Sequence, residues 1–533
     1  MSMPTLSILD TTLREGALAE DIVFSTNEKL RIAKLIDSLG VTYIEGGWPH
    51  VFEEDLEFFA AARDLGLNAK LTAFGATRRP DTPIHRDKNL KALLESQAPV
   101  IHIYGKVWTL HVEKVLQTTL SENLAMLRET IAFLKAEGKE VIYTAEHFFD
   151  GFRTDRNYSL ENLQVALDAG ADIITLGDSN GGSLPKLIRE GITAAKECIQ
   201  NHPLGLHLHN DLGLALANTL TGLEVGIDHI QGTINGYGAR TGITDLTTLL
   251  PILKLKMDCD IVSDLQLSRL TQVANQIAEI SGLGGEMDHR PIVGRKVFSH
   301  KTPTHVAAVL SDPESYEPID PAKVGNHRRL LIPGLNRPTY LKEVARKFGV
   351  DLSENTAANI HILDVLRKLE EQGYNFEDAQ ASFELRLGRL TGKYQRILDT
   401  ERLRLFEVIR GQSRSVVEAS LKVRIDGHDA EYVAAEGSGP LDTLYRVVME
   451  ALHKDPSKHP LENIDAIRPI GYRVRTLSAS KGHLNVRVAL SFTDNRREWT
   501  TIGIEENVTQ ALWTALVDGI EYGLLTPVDV HRA

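Results

Sequence analysis

The chain has 533 residues, of which 42% are hydrophobic and 25% charged, and its formal net charge is −13 at pH 7. This length allows two or three domains of roughly 100–200 residues each, and the composition is ordinary for a globular protein. The negative charge argues against nucleic acid or an anionic membrane as the main partner, because both attract basic surfaces.

Cysteine content and the N-terminal segment indicate where the protein works. Cys198 and Cys259 are the only cysteines, which excludes a disulfide framework and a thiolate metal cluster. The segment MSMPTLSILD lacks the basic and apolar regions of a signal peptide, and no run approaches the roughly 18 apolar residues of a spanning helix. We therefore expect a cytoplasmic protein without a membrane-spanning helix.

Short apolar runs alternate with amphipathic segments over the first half of the chain. The predicted strands are Leu6–Leu9, Tyr43–Glu45, Lys70–Phe74, Val100–Tyr104, Glu140–Tyr143, Ile173–Leu176, Gly205–His209 and His229–Ile234. The first helix is clearly marked, since Ser25 and Glu28 have the spacing of a capping box and Gly40 follows the last apolar position. The pattern matches a (β/α)8 TIM barrel. An open doubly wound sheet is the alternative, but no glycine-rich dinucleotide motif follows the first strand.

The second half of the chain changes character twice. We predict a catalytic barrel over residues 1–263, mainly helical linker subdomains over 264–412, and an α+β domain over 413–533. In the last of these, a strand–strand–helix order occurs twice, first from SLKVRIDG and then from LNVRVALSF, which indicates an internal duplication. A plain packing domain is one interpretation, and we favour a regulatory or dimerising role.

Polar and aromatic residues follow the predicted strands at the end where a barrel enzyme has its active site. In chain order they are Asp10, Arg14 and Glu15, then Glu45 and Trp48, Arg78 and Arg79, Lys106 and Trp108, Glu146 and His147, and Asp178, Ser179 and Asn180, followed by the segments HLHND and NGYGAR. A structural scaffold would not require such a pattern. The sequence therefore predicts an enzyme.

The segment GLHLHND carries the sharpest chemical signal. Residues two apart on a strand share a face, so His207 and His209 point to one side. Two imidazoles and a carboxylate can hold a divalent cation such as Zn²⁺ or Mn²⁺, and Glu15 is the natural third ligand. The alternatives are two hydrogen-bonded histidines at the barrel mouth, and an Arg14–Glu15 ion pair in a solvated loop.

Seven motifs occur in order along the chain: LDTTLREG, YIEGGWP, AFGATRR, AEHFFDG, GDSNGG, HLHND and QGTINGYGAR. In order and spacing they resemble those of the metal-dependent Claisen-condensing acyltransferases, a family that includes 2-isopropylmalate, homocitrate and citramalate synthases. Several segments look most like the citramalate synthase branch of this family. They are GGWP, EHFFDG, INGYG, the run HVAAVLSDPESYEPIDPAKVGNHRR and the last domain. The resemblance covers nearly the whole chain.

The resemblance assigns roles to individual residues. Glu15, His207 and His209 match the metal-binding positions, for Mn²⁺, Zn²⁺ or Mg²⁺. Arg14 and Ser179 match the residues that hold the carboxylate of the 2-oxo acid, and Arg14 also belongs to the catalytic set.

The resemblance also implies the remaining catalytic groups and the partners. Glu146 matches the glutamate implicated in activating the acyl-CoA methyl group, and His305 matches a catalytic histidine; the sequence leaves open which of them is the base. Acetyl-CoA is the implied co-substrate and the protein is expected to be a homodimer. The last domain looks like the family's allosteric domain, with an amino acid as its effector.

Several positions depart from the family pattern around the expected site. Glu15 replaces the usual aspartate, although homocitrate synthases also have glutamate there, and Ser179 replaces threonine. Ala239 and Ile243 replace a glutamate and an asparagine. The runs HVFEED after GGWP and HKTPTH also differ from the branch.

The departures leave three functions open. The resemblance favours condensation of acetyl-CoA with pyruvate to citramalate, in isoleucine biosynthesis. The second is a related condensing enzyme that uses another 2-oxo acid or acyl-CoA in specialised metabolism. The third is a non-catalytic regulatory homologue.

Overall fold

The computed structural model describes residues 6–52, 54–200, 202–331, 345–346, 349–352, 356–374, 376, 379–408, 416–454, 464–478 and 484–526. The chain forms two compact units, Met1–Ser299 with Ala308–Arg329, and His300–Ala307 with Leu330–Ala533. The predicted boundary at 263/264 stays a prediction, as does the one at 412/413, which lies outside the described residues.

Eight strands close into a parallel barrel in chain order, which confirms the predicted fold class. They are β1 (Ser7–Asp10), β2 (Tyr43–Gly47), β3 (Lys70–Ala76), β4 (Val100–Lys106), β5 (Glu140–Glu146), β6 (Ile173–Asp178), β7 (Leu204–Leu208) and β8 (His229–Gly232). The barrel closes because β1 pairs with both β2 and β8, with Leu9 opposite Tyr43 and Ile8 opposite Ile230. Each predicted apolar run is therefore a barrel strand.

Helices follow the strands. Those of the first unit are Thr26–Asp37, Glu54–Ala62, Lys88–Glu95, Thr109–Lys114, Leu120–Ala136, Phe148–Thr154, Arg156–Asp168, Pro185–Cys198, Ala215–Val225, Leu246–Lys256, Asp264–Leu267 and Leu270–Ile280. Short 3₁₀ helices are Gly16–Leu18, Arg63–Leu65, Ile84–Arg86, Ile234–Gly236, Gly284–His289, Pro313–Ser315 and Pro321–Val324. The capping box of the first helix is present, since the Ser25 hydroxyl accepts from Glu28 N–H and the Glu28 carboxylate accepts from Ser25 N–H.

The interior of the barrel changes from apolar to polar along the strands. Leu9, Tyr43, Val100, Ile142 and Ile173 form a separate buried cluster. The residues two positions further along four of these strands share that face and are polar: Glu45, His102, Thr144 and Thr175. The buried apolar layer thus supports a polar layer at the carboxyl ends of the strands, where the site is expected.

The second unit contains two similar halves. Its sheets are Leu398–Val408, Val416–Ile425 and Glu431–Gly437, then Arg468–Ser478, Leu484–Thr493 and Glu498–Glu505. Its other elements are the helices Ala357–Glu371, Gln380–Leu390, Pro440–His453 and Val508–Leu525 and the 3₁₀ helix Ile464–Ala466. The short strands Ser299–His300 and Arg329–Leu330 pair with each other, and a helix spans Pro303–Ser311.

Each half is strand–strand–strand–helix, so the predicted strand–strand–helix order was incomplete. Leu398–Val408 and Arg468–Ser478 lead the two halves, and the first of them lies in the stretch predicted to be mainly helical. Both are outer strands of their sheets, paired on one side. Such strands tolerate many charged residues, which hides them in a search for apolar runs. Among the described residues, no helix is both long and apolar enough to cross a membrane.

Candidate active site

A cavity of about 270 Å³ lies at the carboxyl ends of the barrel strands. Its lining consists of Arg14, Glu15, Leu18, Trp48, Phe74, His102, Tyr104, Thr144, Glu146, His147, Ser179, His207, His209, Ala239 and Arg240. Six of the seven residues assigned roles from the sequence are in this set. The barrel therefore brings together residues that are up to 195 positions apart, Arg14 and His209 at the extremes.

Glu15, His207 and His209 are the candidate metal centre. All three side chains are buried, and one potential ligand atom from each lies within 4.8 Å of the others. His209 Nε2 is 4.0 Å from Glu15 Oε1, which is too long for a hydrogen bond but short enough for two ligands of one cation. His209 Nδ1 is buried and has no hydrogen-bond partner among the described residues.

The electrostatics of the two histidines suit a metal. Burial lowers the pKa of His207 to about 3, and it also lowers the pKa of His209. Neutral imidazoles have a lone pair for a cation at neutral pH. His207 Nδ1 is 2.9 Å from Gln231 Oε1 and donates to it, which leaves the lone pair on Nε2. The donor set therefore fits a divalent cation.

Glu15 is held in its charged form. Burial alone would raise its pKa, but the neighbouring Arg14 guanidinium and the two histidines lower it. Glu15 forms an ion pair with Arg14, and its Oε1 accepts a hydrogen bond from Ala239 N–H at 3.2 Å. The backbone at Ala239 thus contacts the carboxylate directly, although its side chain has no carboxylate of its own.

Arg14 is fixed by Glu45 and by an aromatic ring. Arg14 Nε donates to Glu45 Oε2 at 2.7 Å, and the guanidinium carbon lies 3.9 Å from the centroid of Phe74. Phe74 stacks on Tyr104, and Trp48 packs edge-on against both rings, with centroids 5.3 and 5.7 Å away. A cationic group therefore lies beside an aromatic wall inside the cavity.

A buried polar chain behind Arg14 crosses three strands. Glu45 accepts from the Thr11 hydroxyl and from His102 Nδ1, the latter at 2.5 Å, and His102 Nε2 is 2.7 Å from Thr144 Oγ1. Burial would raise the pKa of Glu45, but Arg14 and His102 hold it well below its usual range. His102 and Thr144 had no predicted role. The feature of the sequence that could have identified them is a polar side chain within an otherwise apolar strand.

Ser179 and Glu146 lie at the carboxyl ends of two adjacent barrel strands, β6 and β5. Ser179 follows β6, and its hydroxyl accepts a hydrogen bond from His147 N–H at 3.0 Å. Glu146 ends β5 and forms an ion pair with Lys106, the last residue of β4. Both line the cavity.

Other residues singled out in the sequence lie elsewhere. His305 is half-buried in the helix Pro303–Ser311 and belongs to the second unit. Arg78 donates to Glu122 and Glu129 of the helix Leu120–Ala136, at 2.8 and 2.7 Å, and does not line the cavity.

The last loop of the site carries two of the departures from the family pattern. Ile243 is buried and forms a backbone bridge with His209, so the loop after β8 pairs directly with the candidate metal ligand that follows β7. Arg240 lines the cavity and pairs with Asp211 at 2.7 Å.

Three protein-family models match consecutive parts of the chain. Residues 5–277 match the HMGL-like family model, 292–380 the homocitrate synthase post-HMGL domain-like model, and 383–524 the LeuA allosteric (dimerisation) domain.

Curated relatives match over almost the whole length. The chain is 39% identical to the (R)-citramalate synthase of Aquifex aeolicus over 97% of both chains. It is 37% identical to that of Geobacter sulfurreducens, over 98% of both chains. It is 39% identical to that of Synechocystis sp., over 98% of this chain and 96% of the relative. The chain therefore belongs to the HMGL-like family, in the branch of the (R)-citramalate synthases.

Proposed function

We propose that the protein is an acyltransferase that condenses acetyl-CoA with pyruvate and releases (R)-citramalate and CoA, a reaction that serves isoleucine biosynthesis. The observation that carries the proposal is the buried Glu15–His207–His209 set directly beside Arg14. A cation site next to a guanidinium suits a 2-oxo acid, which presents a keto oxygen and a carboxylate on adjacent carbons. The similarity to (R)-citramalate synthases supplies the identity of the product.

Each residue has a task in this reaction. Arg14, held by Glu45, binds the carboxylate of pyruvate, and the Ser179 hydroxyl contacts the same group. Glu15, His207 and His209 hold a divalent cation, Mn²⁺, Zn²⁺ or Mg²⁺, which when bound polarises the keto group. Glu146 and His305 are the predicted acid–base groups. Water then hydrolyses the thioester, which makes the condensation irreversible.

The aromatic wall favours a small apolar substituent on the 2-oxo acid. Trp48, Phe74 and Tyr104 pack against one another beside Arg14. These rings offer apolar surface to a methyl group, and the cation beside them, Lys106 with its Nζ 5.3 Å from the centroid of Tyr104, is already paired with Glu146. The cavity of about 270 Å³ is small for a ligand site, which also suits pyruvate.

The second unit is proposed to assemble and regulate the enzyme. Its match to the LeuA allosteric (dimerisation) domain supports a homodimer under allosteric control, and we propose an amino acid as the effector, as the sequence resemblance implies. We place the enzyme in the cytoplasm, as expected from its two cysteines.

A substrate panel tests the proposal. Purified protein is incubated with Mn²⁺ or Zn²⁺, acetyl-CoA and pyruvate, 2-oxobutyrate, 2-oxoisovalerate or 2-oxoglutarate, and free thiol is measured. We expect pyruvate to give the highest kcat/KM and citramalate as the product. Turnover of only a larger or charged acid would reassign the substrate. Inactivity with every acid and metal would contradict an enzymatic function.

A further inference from the structure

Gln231 lies inside the barrel beside the candidate metal centre. It belongs to β8, is the register partner of His207 in β7, and has a fully buried side chain. Its Oε1 is the atom that accepts the Nδ1 hydrogen of His207, at 2.9 Å. Its Nε2 is 3.4 Å from Thr175 Oγ1 and 3.5 Å from the Nε2 atoms of both His102 and His229. The amide group therefore joins a proposed metal ligand to a set of buried polar side chains.

The polar contacts continue from Gln231 to the amino-terminal end of the barrel. His229 precedes Gln231 by two positions and therefore shares its face of β8. His229 Nδ1 is 2.9 Å from the hydroxyl of Ser7, the first residue of β1. That hydroxyl donates to the backbone carbonyl of Asp228 at 3.2 Å. A chain of polar groups thus runs inside the barrel from the Asp228 carbonyl to His207.

The carbonyl end sets the direction of this chain, because a carbonyl oxygen only accepts hydrogen bonds. Since the Ser7 hydroxyl donates its hydrogen to Asp228, its oxygen accepts from His229 Nδ1. Burial lowers the pKa of His229 to about 3, so its ring is neutral and the Nε2 lone pair faces the amide nitrogen of Gln231. The amide oxygen therefore faces His207, which donates from Nδ1.

The direction of the chain decides whether His207 can bind a cation. Its Nδ1 is engaged with Gln231, so Nε2 is the nitrogen left for a metal, and it ligates only when it carries no hydrogen. In a chain of the opposite direction, the hydrogen of His207 would lie on Nε2 and block the cation. Hydrogen bonds in series also polarise one another, which disperses the charge that a bound cation induces on the ring.

We propose that Gln231 is a positioning residue of the metal centre, and that His229 and Ser7 fix the direction in which its amide group points. This inference rests on the proposed function, since it concerns the cation that polarises the keto group. Gln231 does not line the cavity and acts through His207. The ligating form of His207 is therefore selected before any cation binds.

The position of the hydrogen on His207 in the metal-free protein tests the direction of the chain. Protein labelled with ¹⁵N at histidine is examined by NMR, and the His207 signals are those missing from H207A. We expect the hydrogen on Nδ1 in wild type and a mixture of both forms in Q231M, which replaces the amide with an apolar side chain of similar length. A hydrogen on Nε2 of His207 in the wild-type protein would overturn the proposal.

Titration of the metal-free variants with Mn²⁺ tests the positioning role. Q231M should raise the Kd about 10–100-fold, the usual effect of losing a group that orients a metal ligand. Q231E keeps an acceptor for His207 Nδ1, so its Kd should stay within about twofold of wild type.

T72V is the matched control for these variants. Thr72 is buried and lies two positions before Phe74, so it shares the inner face of β3. Among the described residues its hydroxyl has no hydrogen-bond partner. Its replacement removes a polar group from the same interior without touching the chain, and the Kd should not change.

S7A tests the far end of the chain. It removes the hydroxyl that accepts from His229 and should raise the Kd for Mn²⁺ about two- to tenfold, the effect of one net hydrogen bond. In the Q231M background S7A should have almost no further effect, because Ser7 acts through the missing amide. Additive effects of S7A and Q231M would show that Ser7 does not act through Gln231.

Two further results would contradict the positioning role. A wild-type Kd in Q231M would show that Gln231 does not orient His207. A loss in Q231E as large as that in Q231M would assign the effect to packing and not to the hydrogen bond. Wild-type protein that binds no Mn²⁺ would contradict the metal centre itself. Wild-type protein that binds Mn²⁺ without turning over pyruvate would contradict the proposed function and leave the role of Gln231 intact.

Discussion

Arg14, the residue proposed to bind the substrate carboxylate, is held in place by the side chains behind it. Its guanidinium contacts Glu45, Glu15 and the ring of Phe74. Glu45 is in turn fixed by His102, and His102 contacts Thr144. A flexible arginine would lose conformational entropy on binding a carboxylate, whereas this one is already ordered.

Replacing Glu45 tests this dependence. E45Q removes the charge opposite Arg14, so we expect the KM for pyruvate to rise at least about tenfold, which corresponds to 1.4 kcal/mol. The metal content should not change. E140Q is the matched control. Glu140 is the first residue of β5, at the end of the strand away from the cavity, and it forms an ion pair with Lys70. An unchanged KM in E45Q, measured from initial rates, would contradict the proposed role of Glu45.

The buried carboxyl group of Asp10 should make the free energy of unfolding depend on pH. Burial and the nearby Glu45 raise its pKa from 3.8 to about 7, against hydrogen bonds from Thr12. The folded protein therefore keeps this proton while the unfolded chain loses it above about pH 4, so stability falls as the pH rises towards 7. At 1.36 kcal/mol per pKa unit the loss is at most about 4 kcal/mol.

D10N removes this ionisation. Its melting temperature relative to wild type should therefore increase between pH 5 and pH 8. D64N, at an exposed position, should follow wild type throughout. If the difference in melting temperature between D10N and wild type stays constant from pH 5 to pH 8, Asp10 does not titrate as described.

At the scale of elements, the loop after β8 carries the backbone group that contacts Glu15. Gly242 in this loop has a φ of 85°, and a Cβ atom there would lie 1.8 Å from the carbonyl oxygen of Gly236. Any side chain must therefore displace the loop. The Ala239 N–H that donates to Glu15 lies within the same loop.

G242A should therefore weaken metal binding as well as stability. We expect about a tenfold or greater increase in the Kd for Mn²⁺, similar to the loss of a group that orients a metal ligand. G282A is the control, since Gly282 has a φ of 75° but open space where a Cβ atom would lie. Titration of both variants with Mn²⁺ tests the prediction, and equal affinities would contradict it.

The sequence predicted the elements better than the contacts between them. The eight barrel strands follow from local patterns, because strand periodicity is visible in a single run. The same periodicity predicts that His207 and His209 lie on one face of their strand. The Glu45–His102–Thr144 chain was not predictable, since it exists only after β2, β4 and β5 close into the barrel. The left-handed backbone of His147, with φ and ψ angles of 57° and 34°, has no local sequence signal either.

At the scale of the whole molecule, the two compact units have separate cores. Within the second unit, Arg389 joins the helices Gln380–Leu390 and Val508–Leu525 through Asp518 and Glu521. Glu521 also accepts the backbone N–H groups of Ile397 and Leu398 at 3.0 and 2.7 Å.

Removing the arginine should destabilise this unit selectively. R389M leaves the buried Glu521 without a cation and Asp518 with only Arg386, whose nitrogen is 3.5 Å from Oδ2, and the loss of a buried charge partner costs about 3–5 kcal/mol. Hydrogen exchange should accelerate in peptides from 380–390 and 508–525 and stay unchanged in barrel peptides. R424M breaks the exposed Arg424–Glu401 pair and should have little effect. Uniform acceleration across both units would contradict a local role.

The metal centre is the central claim for the whole enzyme, and the H207A variant tests it most directly. Wild type, H207A and the exposed-site control H85A are loaded with Mn²⁺, passed through a desalting column and analysed for bound metal and for thiol release from acetyl-CoA with pyruvate. We predict that H207A loses bound metal and activity together, while H85A keeps both. Wild-type metal content in H207A would contradict the assignment of His207 as a ligand.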